Sequence, residues 1–344
     1  MLKMATIDIN RGVKVLSVDD DQKLIDVLRT QGIHLPSACG SMGTCGLCKV
    51  KMLSESGPLT DAEMAKLSDK ERADGIRLSC QVITRGTLNI ELPPEFLTSQ
   101  NYRSMVERKR FLTPDIVELR LKLLSPNSIS FLPGQYILLK MPPRGDSKTL
   151  MRPFSIASSS KETSFIELNI RLNPEGVFSP WIFNSLQEGQ EIGFSGPRGN
   201  FYIQNTNNPM LMIAGGSGMA PVRSILKTMA DNDIQRKVLF FFGAVSQKDL
   251  FYIDEMAELK NRLSDFRFIP ALSGEPLQSD WNGERGLITD VVDRSLDGEL
   301  SQYEAYLCGK PAMIEGCIKV LESKGIVREK TYFDLFNAAR PLSK

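Results

Sequence analysis

Four cysteines, Cys39, Cys45, Cys48 and Cys80, have the type and spacing of ligands to a [2Fe–2S] cluster. Three fall in one glycine-rich loop, Cys39-Gly40-Ser41-Met42-Gly43-Thr44-Cys45-Gly46-Leu47-Cys48, and the fourth stands in Arg77-Leu78-Ser79-Cys80-Gln81. Such a cluster needs four thiolates, which the plant-type spacing takes from one loop and one distant strand. Gly40, Gly43 and Gly46 let the backbone wrap closely, so that its N–H groups can aim at sulfur. The first gap holds five residues, one more than the plant-type spacing. The competing reading is a zinc site. Zinc ribbons present two Cys-x-x-Cys pairs, whereas this chain has one pair and two singletons, so the cluster is favoured. His34 is the only histidine and reads as a loop residue. A Rieske centre, which needs two histidines, is excluded.

A second kind of chemistry is phosphate binding. Gly215-Gly216-Ser217-Gly218 follows a predicted strand at 211–214 and precedes a predicted helix from Val222. A helix N-terminus there can hold the phosphates of a dinucleotide. Tight strand-to-helix turns also use glycine, so the loop alone is a weak signal. It gains weight from the trailing Met219-Ala220-Pro221 and the later Cys308-Gly309. The segment after the next strand, 243–249, offers only Lys248 to a 2′-phosphate, and Asp249 opposes it. A 2′-phosphate usually calls for arginine, so NADH is favoured over NADPH. Upstream, Arg152 in Arg152-Pro153-Phe154-Ser155 offers a fork of donors to another phosphate.

These residues need elements to place them. At 344 residues the chain fits two or three domains, and an apolar fraction of 42% lets each bury a core. Net charge is +1 without a long basic run, which excludes a nucleic-acid surface. The longest apolar run, near 238–245, is far short of the ~20 residues of a membrane span. The N-terminus enters an alternating strand pattern without a signal peptide's charged start and apolar core. Six cysteines with four given to a metal are not a secreted disulfide scaffold. The chain reads as soluble and cytoplasmic.

Along the chain, alternating runs at 5–9 and 13–18 flank Asn10-Arg11-Gly12, a hairpin signal. A helix is predicted at 22–31, then the cysteine loop, a strand at 49–53, a short helix at 61–67 and strands carrying Cys80 and 88–92. Pro93-Pro94 marks a linker. The next stretch is strand-rich, with strands at 117–123, 136–140 and 165–172 separated by turns, as in a β-barrel. From about 206 the pattern changes. Apolar strands at 211–214, 238–242 and 305–308 alternate with helices at 222–229, 253–263 and 312–323, which argues for a parallel sheet. Cys317 sits among apolar helix positions and reads as core.

Taken in order, these motifs together with Phe131-Leu132-Pro133-Gly134-Gln135-Tyr136, Gly196-Pro197-Arg198-Gly199-Asn200-Phe201 and Asp249-Leu250-Phe251-Tyr252 resemble the ferredoxin–NADP reductase superfamily with a ferredoxin fused in front. Within it the chain is similar to the NADH-oxidising module of sodium-translocating NADH:quinone oxidoreductases and to reductase components of bacterial multicomponent oxygenases. The resemblance implies a multidomain α+β and α/β chain. Residues 1–95 would be a β-grasp ferredoxin domain, 100–205 an antiparallel β-barrel flavin domain, and 206–344 a parallel-sheet, Rossmann-like nicotinamide domain. It implies a [2Fe–2S] cluster, FAD in preference to FMN, and NADH.

The resemblance also implies roles. Arg152, Pro153, Phe154, Ser155 and Arg171 would bind cofactor, with Phe154 stacking on the flavin ring and Ser155 reaching N5. Gly176, Val177, Phe178 and Ser179 suit a pyrophosphate before a helix start at Pro180. Gly215, Gly216, Ser217, Gly218, Met219, Asp249, Cys308, Gly309, Lys310 and Pro311 would hold the nicotinamide cofactor. Cys308 would align hydride transfer, against the plainer reading of a packed strand-end thiol. Phe336 would cover the flavin, against a core aromatic. Three acceptor classes follow: a soluble oxygenase, a membrane quinone-reducing complex, or a cobalamin protein awaiting reductive activation. The module of the sodium pump carries an N-terminal membrane helix, whereas this sequence starts at the first predicted strand. Either the natural chain is soluble or an anchor once preceded it.

Overall fold

The structure is a computed structural model that describes residues 4–33, 35, 41–44, 46, 48–93, 95–98, 100–143, 149–298 and 300–336. The chain divides into two compact units, Met1–Ser99 and Gln100–Ala338.

The first unit opens with strands β1 (Met4–Ile9) and β2 (Lys14–Asp19), followed by helix α1 (Leu24–Thr30). Asn10, Arg11 and Gly12 all take positive φ, which turns the chain back into an antiparallel hairpin. Strand β3 (Lys49–Met52), helices α2 (Asp61–Lys66) and α3 (Asp69–Ala73), and strands β4 (Ile76–Leu78) and β5 (Thr87–Glu91) follow. A short helix α4 (Glu95–Thr98) comes where the sequence suggests only a linker. The sheet runs β2-β1-β5-β3-β4, with β1 and β5 parallel. Alternation decides its faces: Ala5, Ile7 and Ile9 are buried, and Leu24, Ile25, Val27 and Leu28 of α1 share the core with Ile7 and Ile9. Each of α2 and α3 starts in a capping box, Thr60 with Glu63 and Ser68 with Glu71.

The second unit begins with β6 (Gln100–Thr113), β7 (Ile116–Ser125), β8 (Tyr136–Met141), β9 (Leu150–Ser155), β10 (Phe165–Arg171), helix α5 (Phe178–Asn184) and β11 (Glu191–Arg198). Its antiparallel sheet runs β10-β7-β6-β11-β8-β9, and a bridge between Ile156 and Leu168 brings the two edges together as a barrel. The interior is apolar, with Val106, Leu119, Leu121, Ile137, Leu139 and Phe194 fully enclosed.

There follow β12 (Met210–Gly215), α6 (Met219–Asp231), β13 (Val238–Ala244), α7 (Ile253–Arg262), β14 (Phe266–Leu272), β15 (Glu284–Arg285), α8 (Ile288–Ser295), β16 (Glu304–Gly309), α9 (Pro311–Ser323) and β17 (Thr331–Leu335). This sheet is wholly parallel, in the order β15-β14-β13-β12-β16-β17. Both faces are covered, which explains why its strands read as continuous apolar runs. Met212, Ala214, Phe240 and Phe242 belong to the core under α6 and α7. Leu211, Ile213, Leu239 and Phe241 belong to the core under α8 and α9. Strand order reverses beside β12, so the carboxyl ends of β12 and β16 form the crevice where such sheets bind ligands. Among the described residues, no helix is long and apolar enough to cross a membrane.

Candidate redox sites

In the first unit, pairing of β3 with β4 sets Lys49 opposite Leu78, and the Ser79 N–H donates to the Cys48 carbonyl at 2.8 Å. Cys48, just before β3, and Cys80, two residues past β4, are thereby brought side by side and almost fully buried. Burial pushes the Cys48 thiol up to about 12, with the neighbouring Cys80 adding to the rise. Two thiols so placed cannot both carry charge unless a bound cation compensates it, which is the chemistry of an iron–sulfur site. Cys39 and Cys45 lie outside the described residues, as does His34.

The described part of the cysteine loop keeps its backbone in the left-handed region at Ser41, Gly43 and Gly46. A Cβ on Gly43 would stand 2.8 Å from Gln81 Nε2 and 2.9 Å from Ala62 Cβ, so only glycine fits there. The Gln81 amide in turn lies 3.5 Å from Cys80 Sγ as a donor. Behind Cys80 lies a pair that the sequence did not reveal. Arg77 Nε donates to Glu63 Oε1 at 2.7 Å and Arg77 Nη2 to Glu63 Oε2 at 2.9 Å, both side chains being buried. Arg77 also donates to the carbonyls of Ser56, Gly57 and Pro58, while Glu63 accepts from the Leu78 and Thr60 N–H groups. Burial alone would raise the Glu63 pKa, but Arg77 and those N–H groups hold it below the usual carboxylate range. The pair ties α2, the 56–60 loop and β4 into one frame next to Cys80.

In the second unit, β9 ends in Arg152, Pro153, Phe154 and Ser155. Arg152 is half-buried, and its Nη1 donates to the Met151 carbonyl at 2.9 Å. Phe154 lies 5.7 Å from Phe178. The helix expected to start at Pro180 starts at Phe178 instead; proline fits inside the first turn because N–H groups there need no intrahelical acceptor. Ser179 Oγ accepts from the Asn173 N–H at 2.8 Å, which closes the turn that carries Gly176, and Val177 is exposed.

The glycine loop forms a 3₁₀ turn, Gly216–Gly218, between β12 and α6, and α6 begins at Met219. A Cβ on Gly218 would stand 2.3 Å from the Cys308 carbonyl oxygen, so this glycine lets the loop press against the end of β16. Arg171 Nη1 reaches to 3.0 Å from where a Gly216 Cβ would be, while Arg171 Nε donates to Asp115 Oδ2 at 2.7 Å. Asp249 is turned into its own loop, accepting from the N–H and hydroxyl of Ser246 at 2.9 and 2.8 Å. Lys310 caps α9 and Pro311 is its first residue. Cys317 is buried in the core, where burial pushes its thiol up to about 12.

Cys308 is fully enclosed, and its register partner across β17 is Asp334. Burial, reinforced by Asp334, raises the Cys308 thiol well above its ordinary value. The Ser155 hydroxyl lies near the same Asp334 carboxylate and favours its charged form. Burial pushes Asp334 up to about 6 against the opposing pull of that hydroxyl. Ser155, Asp334 and Cys308, from β9, β17 and β16, thus meet at one point. Asp334 went unnoticed in the sequence, although an acid within Tyr332-Phe333-Asp334-Leu335-Phe336 was a usable signal. Phe336 is half-buried beside this group, and its N–H donates to the Gly309 carbonyl at 2.8 Å.

Three family models match in series: a 2Fe-2S iron-sulfur cluster binding domain over residues 7–85, an oxidoreductase FAD-binding domain over 103–203 and an oxidoreductase NAD-binding domain over 212–319. A component of the Na(+)-translocating NADH-quinone reductase of Neisseria meningitidis is 31% identical over 374 residues, covering 96% of this chain and 91% of the relative. The electron transfer component of the xylene/toluene monooxygenase of Pseudomonas putida is 33% identical over 320 residues, covering 92% and 89%. The crystal structure of the Amycolatopsis cytochrome P450 reductase GcoB superposes with a TM-score of 0.77 at 27% identity, covering 98% of this chain and 100% of that one. A bound FAD would supply a hydride acceptor for NADH, and a [2Fe–2S] cluster would supply single-electron transfer. The chain therefore belongs to the ferredoxin–NADP reductase superfamily, as an NADH-dependent oxidoreductase that carries its own [2Fe–2S] ferredoxin domain.

Proposed function

We propose that the chain is the reductase component of an oxygenase, delivering electrons to a separate terminal oxygenase protein. One observation carries this choice over a quinone-reducing complex. The alignment to the monooxygenase component takes in 92% of this chain over 320 residues, so it is almost free of insertions. The alignment to the sodium-pump component runs over 374 residues, more than the 344 of this chain, so that relative carries inserted stretches. A cytoplasmic location accords with NADH as donor.

In this reading residues 1–95 carry the cluster on Cys39, Cys45, Cys48 and Cys80, residues 100–205 the flavin and residues 206–344 the nicotinamide cofactor. Arg152 would hold a flavin phosphate and Phe154 the ring, with Gly176 to Ser179 along the pyrophosphate. Ser155 would meet N5. Gly215 to Met219, reached by Arg171, would cradle the NADH phosphates, and Asp249 shapes the adenosine side by fixing its loop. Gly309, Lys310 and Pro311 would border the nicotinamide with Cys308, whose neutral thiol packs without repelling an incoming hydride. Asp334, close to the Ser155 hydroxyl, would orient it, and Phe336 would close the pocket from the β17 side.

The test mixes NADH-reduced protein, in separate stopped-flow runs, with a purified terminal oxygenase component and with quinone-containing membrane vesicles. Faster cluster reoxidation by the oxygenase component supports the proposal, and faster reoxidation by the vesicles overturns it in favour of the quinone-reducing class.

A further inference from the structure

The second unit contains a buried polar seam to which neither the family models nor the site described above assigns a role. Its centre is Arg223 on α6, which is 3% exposed. Arg223 Nη1 donates to Glu167 Oε2 on β10 at 2.7 Å and to the Ala157 carbonyl at 3.0 Å. Its Nε and Nη2 take both carboxylate oxygens of Glu255 on α7, at 2.7 and 2.8 Å. The guanidinium lies over the Tyr252 ring at 4.4 Å. Tyr252 sits at φ +60, an uncommon conformation for a bulky residue, held just before α7. Its hydroxyl donates to Glu118 Oε2 on β7 at 2.6 Å and lies 3.0 Å from the Asn169 side-chain amide. Glu118 has no exposed surface and also accepts from Arg108 and Arg110. Three carboxylates, Glu118, Glu167 and Glu255, are thus balanced by Arg108, Arg110 and Arg223.

The seam joins the barrel to the parallel sheet at a particular place. Below Arg223, Ser224 Oγ donates to the Ser158 carbonyl at 2.7 Å, and the Ser160 N–H donates to Thr228 Oγ1 at 2.9 Å. The barrel segment 157–160, which starts two residues after Ser155, is therefore strapped along α6. The other end of α6 is the glycine loop, where Gly218 presses on the Cys308 carbonyl. Five residues of helix, about 7 Å, separate Gly218 from Arg223. Any shift of α6 relative to 157–160 thus changes the distance between Ser155 and Cys308.

We infer that α6 and its seam set the spacing between the flavin side and the nicotinamide side of the active site, with Arg223 and Tyr252 as positioning residues for hydride transfer. This rests on the reading of Ser155 and Cys308 as the two sides of that step. A salt bridge this buried adds little net stability over an apolar contact, whereas its many directed bonds determine one relative placement of the two sheets. Misplacement by about 1 Å can cost on the order of a hundredfold in rate.

The experiment uses the holoprotein in anaerobic stopped-flow with NADH and 4-deuterated NADH. Tyr252→Phe keeps the ring under Arg223 and removes only the hydroxyl contact, while Arg223→Lys keeps the charge and breaks the fork. We expect flavin reduction at saturating NADH to slow about tenfold in Tyr252→Phe and further in Arg223→Lys. Charge-transfer absorbance between nicotinamide and flavin should weaken, and the deuterium isotope effect should be fully expressed. NADH affinity should stay within about twofold and flavin content should be unchanged. Parental rate and charge-transfer absorbance in Tyr252→Phe would overturn the inference, as would a rate loss explained wholly by weaker NADH binding or lost flavin. Ser155→Ala and Cys308→Ala run beside them: parental rates there would sink the site reading instead.

Discussion

Two buried arginine hubs, one in each unit, do related work by different means. Arg77 in the first unit answers to a single carboxylate, Glu63, and to carbonyls of one loop, all within 21 residues of it in sequence. Arg223 in the second unit draws on residues 32 to 66 positions away and on a different sheet. The first hub shapes the frame beside one cysteine, Cys80, inside a small domain. The second joins two sheets of the same unit, the barrel and the parallel sheet, through α6 and α7. In the proposed reading, the contrast is between a cluster ligand, which needs local rigidity, and hydride transfer, which needs two surfaces held in register.

The largest expected effect is at the cluster itself. Cys80→Ser should lower NADH-driven cytochrome c reduction to background while most NADH:ferricyanide activity survives. Full cytochrome c activity would show that electrons leave by another route. Arg77→Met strands the Glu63 carboxylate and should destabilise the first unit by about 3–5 kcal/mol. Iron and labile sulfide should fall with it, while flavin content stays put. Intact iron at unchanged thermal stability would mean that this hub is idle, and the comparison would collapse.

On the other side, Cys308→Ala should slow flavin bleaching by NADH by on the order of a hundredfold without touching iron content. A parental rate would return that thiol to plain core packing.

A pH effect sharpens the contrast. Asp334 titrates at about 6 in the folded chain, above its ordinary value, because burial penalises its charge. Between the two values the folded form holds a proton that the unfolded form has lost. Stability from this group is therefore present at low pH and is lost as pH rises through about 6. Asp334→Asn should flatten that part of the pH–stability curve, by at most about 3 kcal/mol, in urea titrations between about pH 4 and 7. An unchanged slope would show the carboxylate to be well solvated.

Smallest is the choice of donor: ferricyanide reduction should favour NADH over NADPH by at least about tenfold, or ~1.4 kcal/mol. Equal efficiency would remove the argument from Lys248. The structure changes part of its basis, since Asp249 is engaged with Ser246 and acts by holding the loop.

Much of the architecture was legible because its signals are local. Alternation at 5–9 and 13–18 marks a hairpin whatever lies elsewhere, and β1 and β2 form there. Apolar runs such as Leu211 to Ala214 need two covered faces, which a parallel sheet supplies. The start of α5 was misplaced because Pro180 serves equally well at the first or third helical position, and only the packing of Phe178 against the barrel core separates the two.

By itself the sequence determined which chemistries are available: four thiols at cluster spacing, a phosphate loop after an apolar strand, and a flavin motif between them. Each is a property of neighbours along the chain, where spacing and backbone freedom are enough. Tertiary structure alone decided which charges are buried and what each one faces. Arg223 looks like any helix arginine until α6 is laid on segment 157–160. Asp334 is a lone acid until the pairing of β17 with β16 puts it between Ser155 and Cys308. A charge is tolerable in a low-dielectric interior only with its partner in place, and here the partners come from strands far apart in the chain.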